Sequence, residues 1–135
     1  MKICVLIKQV PDKDCAINVS ENSLSISNNN ITWVSNESDN YALEEALLLK
    51  EKYQGQVVVC TFGSESSRQV LKDAMAKGAD RGIFINNSDQ KYQDPLFRAK
   101  IIAKVLENEK FDIVLSGLQS DDDGYAQLGI LLAEL

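Results

Sequence analysis

The sequence predicts an α/β domain with an open parallel sheet and helices on both faces. Four short apolar runs have the composition of buried parallel strands, at residues 3–7, 56–62, 82–86 and 112–116. Helical patterns lie between them, and this alternation is typical of βαβ units with right-handed crossovers. The chain has 135 residues, 44% of them hydrophobic, which suffices for the core of one domain. We therefore expect residues 1–135 to form a single domain.

The connection between the first strand and the first helix, residues 9–38, is longer than is usual in a compact domain. It contains "AINV", "SLSI" and "ITWV", in which apolar and polar residues alternate, separated by the turn-rich "SENS" and "SNNN". This pattern predicts a small β-hairpin insertion near residues 16–34. We interpret Trp33, within this segment, as packing against the sheet.

Local end signals delimit the first two helices. The first is expected from about Asp39 to Tyr53, with an apolar face of alanine and leucine residues. Ser66 and Gln69 fit the S-x-x-Q capping box at the start of the second helix. Gly78 suits the position that follows the end of that helix.

The third and fourth helices have different kinds of start signal. Asp94-Pro95 combines an N-cap residue with proline at the first helical position, so the third helix should begin there. The fourth helix is expected to start near Asp123 and to reach the last residue, Leu135.

The charge balance disfavours some partners. The net charge is −6, from 20 acidic and 14 basic residues, and the basic residues are scattered along the chain. Such a chain repels polyanions, so we expect no nucleic acid and no anionic membrane as a partner. No apolar stretch is long enough to cross a bilayer, and the N-terminus lacks a cleavage site. We therefore expect a cytoplasmic protein without membrane insertion.

The reactive residue types exclude several chemistries. The sequence contains no histidine, which removes Ser-His-Asp and Cys-His nucleophile systems and disfavours zinc. Cys4 and Cys60 fall inside strand patterns and Cys15 in the connection of residues 9–38, without CxxC spacing. Cysteine in a strand is most often a small buried hydrophobe, so a redox or metal role is not expected.

Ligands of open parallel sheets bind outside the carboxyl ends of the strands, near the point where the strand order reverses. Four loops should lie there, residues 8–12, 36–39, 61–66 and 117–127. None contains GxxxxGK[ST] or GxGxxG. "SGLQSD" is weakly similar to the SGGxDS loop of ATP pyrophosphatases, but Leu118 replaces the second glycine.

Three consecutive aspartates, Asp121 to Asp123, follow the fourth strand, and two interpretations stay open. They cap the fourth helix, because the first turn of a helix favours acidic side chains. Alternatively, Gln119 and Asp122 contact a nucleotide, with Gly124 and Gln127 near its phosphate. A metal site is not predicted, because consecutive carboxylates on a turn point in different directions.

Five segments, in order along the chain, resemble the beta subunit of electron transfer flavoprotein, in the group that includes the FixA-type proteins. They are "IKQVPD" at 7–12, "ALEEALLLKE" at 42–51, "VVVCTFG" at 57–63, "MAKGADRGIFI" at 75–85 and "FDIVLSGLQSDDDGYAQLG" at 111–129.

The resemblance implies an adenine-nucleotide-binding domain of the universal-stress-protein-like type. It also implies an electron carrier and not an enzyme, paired with an alpha subunit that holds most of the redox FAD. The beta subunit would carry AMP or a second FAD, and electrons would arrive from flavin dehydrogenases. Carried over by position, the cofactor contacts are Leu6, Lys8, Asn36, Glu37, Ser38, Asp39, Phe62, Gly63, Gly117, Gln119, Ser120, Asp121, Asp122, Asp123, Gly124, Gln127 and Leu128.

Two departures from the family pattern are visible. Asn36-Glu37-Ser38-Asp39 stands where many relatives have Asn-Pro-Phe-Asp, and the chain stops at Leu135 where relatives continue, so we expect a truncated domain. The alternative function is a stand-alone ATP- or AMP-binding regulator of the universal stress type.

Overall fold

The computed structural model describes residues 1–19, 26–27, 30–88 and 94–135. The elements, in chain order, are β1 (Lys2–Leu6), β2 (Gln9–Pro11), β3 (Trp33–Ser35), α1 (Glu37–Tyr53), β4 (Gln56–Gly63), α2 (Arg68–Ala76), β5 (Arg81–Asn86), α3 (Pro95–Leu106), β6 (Ile113–Leu115) and α4 (Leu128–Glu134).

The main sheet has four strands in the order β5-β4-β1-β6, and every neighbouring pair is parallel. The chain moves outward from β1 to β4 and β5, then returns to place β6 on the other side of β1. The strand order therefore reverses between β1 and β6. In open α/β sheets a crevice forms at the carboxyl ends of the strands at such a reversal. The predicted parallel sheet is confirmed.

Apolar side chains on both faces of the sheet form the core. On one face, Ile3 and Val5 of β1 pack with Leu43 of α1 and Val70 of α2. On the other face, residues of β1 and β4 pack with Ile102 of α3 and with partly buried leucines of α4. Helices therefore cover both faces, as predicted, because alternate side chains of a strand point to opposite faces.

The cysteines in the strands are core residues. Cys4 and Cys60 are 0% and 1% exposed, and neither forms a disulfide. Burial raises the pKa of the Cys60 thiol to about 12 and raises the pKa of the Cys4 thiol as well. A thiol held in its neutral form is a poor nucleophile and metal ligand. The prediction that these two cysteines are structural is confirmed.

The expectation that the fourth strand is buried is wrong. Ile113 and Val114 of β6 are 37% and 40% exposed. β6 lies at the edge of the sheet, so in the described part of the chain it pairs with β1 on one side alone. An apolar run in a sequence identifies a strand, but the position of that strand in the sheet decides its burial.

The first connection contains antiparallel pairing. β2 pairs with β3, with Val10 opposite Val34. Within the predicted hairpin, Val19 and Ile26 form an isolated antiparallel bridge. The rest of the predicted hairpin turn, residues 20–25 and 28–29, lies outside the described residues. The β2–β3 pair joins the start of the connection to its end. The sequence pattern did not predict this pair.

The first and third helices begin close to their predicted starts. α1 begins at Glu37, two residues before the predicted start at Asp39, and ends at Tyr53 as predicted. The Asp94 side chain accepts a hydrogen bond from the main-chain nitrogen of Phe97 at 2.9 Å. Pro95 occupies the first helical position of α3. The cap and proline signal is confirmed, because the Asp94 side chain pairs with a main-chain nitrogen only three residues away and Pro95 restricts its own main chain.

The capping box predicted for α2 is wrong at both residues, and Gln69 Nε2 donates to Asp73 Oδ1 at 2.8 Å. A short 3₁₀ turn, Glu65–Ser67, precedes α2, and the Ser66 hydroxyl donates to Gln9 Oε1 at 2.9 Å. The end signal is confirmed, because Gly78 has a φ of +125° and its nitrogen donates to Met75. Ala79 nitrogen donates to Ala74 oxygen, which completes a Schellman motif.

None of the helices in the described ranges is long and apolar enough to cross a membrane.

Candidate functional site

Two adjoining cavities open at the carboxyl edge of the sheet. The smaller, of about 100 Å³, lies where the strand order reverses, between the ends of β1 and β6. The larger, of about 410 Å³, lies beside it near the end of β4. Lys8, Phe62, Arg98 and Asp123 line both cavities. The site therefore lies where the topology of an open sheet places a ligand.

Most of the predicted contact residues converge on these cavities. Residues from the ends of β1 and β4, from the start of α1 and from the segment after β6 share the smaller one. That set is Leu6, Lys8, Asn36, Asp39, Phe62, Gly117, Gln119, Ser120, Asp123, Gln127 and Leu128. Gly63 and Asp122 line the larger cavity.

Four predicted residues lie elsewhere and do not line either cavity. Glu37 is exposed at the start of α1, where it accepts a hydrogen bond from Tyr41. Ser38 lies behind the loop and donates to the main-chain oxygen of Gln119 at 2.8 Å. The main-chain nitrogen of Asp121 donates a hydrogen bond to Asn36 Oδ1. Gly124 is exposed in the turn that follows.

Asn36 joins three separate parts of the chain. Its side chain is buried, at 1% exposure, and its Nδ2 donates to the main-chain oxygen of Gln119 at 2.9 Å. Its Oδ1 accepts from the main-chain nitrogen of Asp121 at 3.0 Å. Its own main-chain nitrogen donates to the oxygen of Lys8 at 2.9 Å. The segment after β6 is therefore held to the end of β1 and the start of α1.

Asp39 links the segment after β6 to the end of β1. Its carboxylate accepts from the main-chain nitrogen of Lys8 at 2.9 Å and from that of Gly117 at 3.0 Å. Burial raises the pKa of this carboxyl, and the two main-chain hydrogen bonds oppose part of the rise. An added Cβ on Gly117 would overlap Ser38 Oγ and Asp39 Oδ1, so the main chain reaches Asp39 because Gly117 lacks a side chain.

Lys8 and Arg98 pair with two of the three aspartates. Lys8 Nζ lies 2.6 Å from Asp122 Oδ1 and 2.9 Å from Asp123 Oδ2, and it donates to Ser120 Oγ at 3.2 Å. Arg98 Nη1 lies 2.8 Å from Asp123 Oδ2. Burial raises the pKa of the Asp123 carboxyl, but hydrogen bonds from Lys8 and Arg98 outweigh it and the net pKa is lowered. Asp123 is thus held as a carboxylate.

The interpretation of the aspartates as caps of the fourth helix is wrong. α4 begins at Leu128, not near Asp123, and Gln127 precedes it without a side-chain cap. The aspartates lie in a turn, in which Gly124 nitrogen donates to Ser120 oxygen at 2.9 Å. Gly124 and Ala126 have left-handed φ values of +64° and +53°, which a helix cannot contain. The helix therefore begins only after this turn, in which Asp122 and Asp123 pair with the distant Lys8 and Arg98.

Arg98 is the charged lining residue that the sequence analysis missed. It lies in the first turn of α3, and its side chain is 15% exposed. Each helix that follows a parallel strand starts at the carboxyl edge, so the β5–α3 connection belonged with the four loops considered. Trp33, interpreted as a packing residue, is 40% exposed and lines the larger cavity.

Comparison with known proteins identifies the family. Residues 23–135 match the family described as "Electron transfer flavoprotein domain". The chain belongs to the electron transfer flavoprotein family. This electron transfer flavoprotein chain is 34% identical over 134 residues to "Electron transfer flavoprotein subunit beta" of Thermoanaerobacterium thermosaccharolyticum, covering 99% of this chain and 51% of that protein.

Two further beta subunits show the same relationship. The subunit of Bacillus subtilis is 32% identical over 136 residues, covering 100% of this chain and 52% of that protein. The human subunit is 32% identical over 136 residues, covering 98% of this chain and 53% of that protein. The predicted resemblance to beta subunits is confirmed, and this electron transfer flavoprotein chain spans about half the length of the relatives it matches.

Proposed function

We propose that this chain is the nucleotide-holding part of an electron transfer flavoprotein beta subunit, which binds AMP or a second FAD. It pairs with an alpha subunit, completes the environment of that subunit's FAD, and passes electrons from flavin dehydrogenases to an acceptor. The chain acts as a carrier and supplies no catalytic acid, base or nucleophile. The cytoplasmic location and the universal-stress-protein-like type of nucleotide fold stay predictions.

One observation carries the proposal, namely the convergence of separate chain segments on the cavities at the strand-order reversal. Asn36 and Asp39 fix the segment after β6 through four hydrogen bonds to main-chain groups of that segment and of Lys8. Such a framework holds main-chain groups at set positions around a ligand, which lowers the entropy lost on binding. The larger cavity alone, at about 410 Å³, lies in the range of roughly 300–1,000 Å³ typical of small-molecule sites.

The lining suits the two ends of an adenylate. Leu6, Phe62, Ile102 and Leu128 offer an apolar surface for the base in the smaller cavity. The cations lie at the boundary of the two cavities, where the phosphate would lie if the base occupied the smaller one. AMP and FAD share this adenylate end, so the same contacts serve both ligands.

The test is to co-express the full chain with its alpha subunit, denature the purified complex and identify the released nucleotides by chromatography. The expected result is AMP together with one FAD, or two FAD, for each heterodimer. Recovery of a folded heterodimer with neither AMP nor a second FAD would overturn the proposal. A flavin-free homodimer that forms on addition of ATP would favour the stress-type regulator.

A further inference from the structure

Four charged side chains form the boundary between the two cavities. Lys8, Arg98 and Asp123 line both cavities, and Asp122 lines the larger one. The side chains of Lys8 and Arg98 are 27% and 15% exposed, and those of both aspartates are 29% exposed. The cations are therefore partly withdrawn from water but still open to a ligand in either cavity.

The charges of this cluster cancel. Lys8 Nζ contacts one oxygen of each aspartate, at 2.6 and 2.9 Å, and Arg98 shares Asp123 Oδ2 with Lys8. Two carboxylates thus occupy the positions around two cations where a phosphate would bind. A dianion that entered the cavity would be attracted by Lys8 and Arg98 and repelled by the two aspartates. Its attraction to the cations is strongest when the carboxylates move away.

The segment that carries the aspartates has a fixed part and a turn. The fixed part is hydrogen-bonded to the side chains of Asn36 and Asp39 through main-chain groups of Gly117, Gln119 and Asp121. The turn that follows has left-handed backbone at Gly124 and Ala126, and φ +53° is costly for an alanine. The contacts to Lys8 and Arg98 stabilise the turn in this conformation. The turn is therefore joined to the cations through the aspartates, whereas the segment before it is joined to the fold through Asn36 and Asp39.

We infer that Asp122 and Asp123 are an exchangeable internal counter-anion for Lys8 and Arg98, and that the phosphate of the bound nucleotide takes their place on the two cations. Arg98 is then a phosphate-binding residue of the site, alongside Lys8. The aspartates keep the cations neutralised while the site is empty and set how tightly it holds a phosphate. This inference rests on the proposed function, since it concerns the ligand of the same site.

The test compares two ligands that differ by the phosphate. AMP and adenosine are titrated by calorimetry into the nucleotide-depleted heterodimer of the full chain and its alpha subunit. Asp123→Asn keeps the shape of the side chain and removes its charge. We expect this variant to bind AMP more tightly, on the order of ten-fold, because a repelling carboxylate next to the phosphate is gone. Adenosine affinity should stay unchanged.

Arg98→Gln should act in the opposite direction. It should weaken AMP on the order of ten-fold and leave adenosine unchanged, because it removes one of the two cations. The matched control is Glu109→Gln. Glu109 also lies between a lysine and an arginine, Lys2 and Arg81, but these residues begin β1 and β5 at the opposite edge of the sheet. That variant should change neither affinity.

The outcomes separate this inference from the proposed function. If the unaltered heterodimer binds neither AMP nor FAD, the proposed function fails. If it binds AMP but Asp123→Asn weakens AMP, or shifts AMP and adenosine equally, the aspartate is a ligand contact or a structural residue and the exchange is wrong. Thermal unfolding of each variant identifies a loss of affinity that comes from misfolding. If Asp123→Asn misfolds, the AMP and adenosine affinities of Arg98→Gln test the inference on their own, and an unchanged AMP affinity in that variant would overturn it.

Discussion

Asn36 Nδ2 lies 2.9 Å from the main-chain oxygen of Gln119, although the two residues are 83 positions apart. The opposite side of the same amide accepts from Asp121 nitrogen. One buried side chain therefore serves as both donor and acceptor for a segment that has no regular secondary structure of its own. This amide therefore helps to hold the segment that lines the candidate site.

Asn36→Ala should destabilise the protein. It removes the acceptor of Asp121 nitrogen and one of the two donors to Gln119 oxygen, and an unpaired buried polar group costs about 1–3 kcal/mol. The free energy of unfolding in urea should fall by about that amount, and bound nucleotide should be lost on gel filtration. Asn40→Ala is the control, because Asn40 is half-buried on α1 and its bonds to main-chain oxygens are longer, at 3.3 and 3.5 Å. Equal losses in the two variants would contradict the role given to Asn36.

Gly117→Ala should displace the segment after β6. The added methyl group would overlap the side chains of Ser38 and Asp39 and lie 2.7 Å from Asp39 nitrogen. Overpacking of this kind costs about 1–3 kcal/mol. Gly82→Ala is the comparison, because its methyl group would meet Leu71 at 3.4 Å, an ordinary contact. Chemical denaturation should show the larger loss for Gly117→Ala; if both variants unfold at the same urea concentration, the close approach of Gly117 to Asp39 is wrong.

Asp39 and Asp80 should give opposite pH dependences of stability. Burial raises the pKa of Asp39, so its stabilising contribution is fully present below the unfolded pKa near 3.8 and is lost as pH rises through the raised folded pKa. Hydrogen bonds from Lys50 and from Val57 nitrogen lower the pKa of Asp80. The contribution of Asp80 is therefore present above pH 3.8 and is lost as pH falls through its lowered folded pKa.

The measurement is urea unfolding of the native protein and of Asp39→Asn and Asp80→Asn between pH 3 and pH 7. The stability lost in Asp39→Asn should shrink as pH rises, whereas the stability lost in Asp80→Asn should grow. Asp39→Asn should be destabilised at every pH, by about 1–3 kcal/mol at the acid end, because its amide group faces a main-chain nitrogen that needs an acceptor. Parallel pH profiles for the two variants would refute the assignment.

The three cysteines should differ in reactivity. Cys4 and Cys60 are buried in the core with raised pKa values, whereas Cys15 lies in the first connection and is partly exposed. A disulfide reagent such as dithionitrobenzoate should therefore react quickly with one thiol in the native protein at pH 8 and with three after denaturation. Cys15→Ser should abolish the fast phase. A fast phase of two or more thiols would show that the core is open.

Asp94→Ala and Ser66→Ala test the two predicted helix starts against each other. Asp94 accepts from Phe97 nitrogen, so its loss should cost about 0.5–2 kcal/mol of stability. Ser66 fits a capping box in the sequence but donates to Gln9 from an exposed position. Ser66→Ala should therefore change the free energy of unfolding by less than Asp94→Ala, and a larger change would restore the capping box.

Signals that act over a few residues predicted structure well. The Asp94-Pro95 start of α3 and the Gly78 end of α2 are confirmed, because each depends on main-chain groups within five positions. The four parallel strands were also identified. The start of α4 was misplaced, because the turn before it depends on Lys8 and Arg98, which lie far away in the sequence.

The sequence by itself determined the order of strands and helices, most of their ends, and the edge of the sheet where the candidate site lies, since periodicity and caps are local and parallel strands end at the same edge. The tertiary structure alone decided the exposure of β6, the conformation of residues 117–127, and the place of Arg98 beside Asp123. The physical reason is that these features arise from contacts between residues distant in sequence. Such contacts exist only after the strand order has brought the ends of β1, α1 and β6 together.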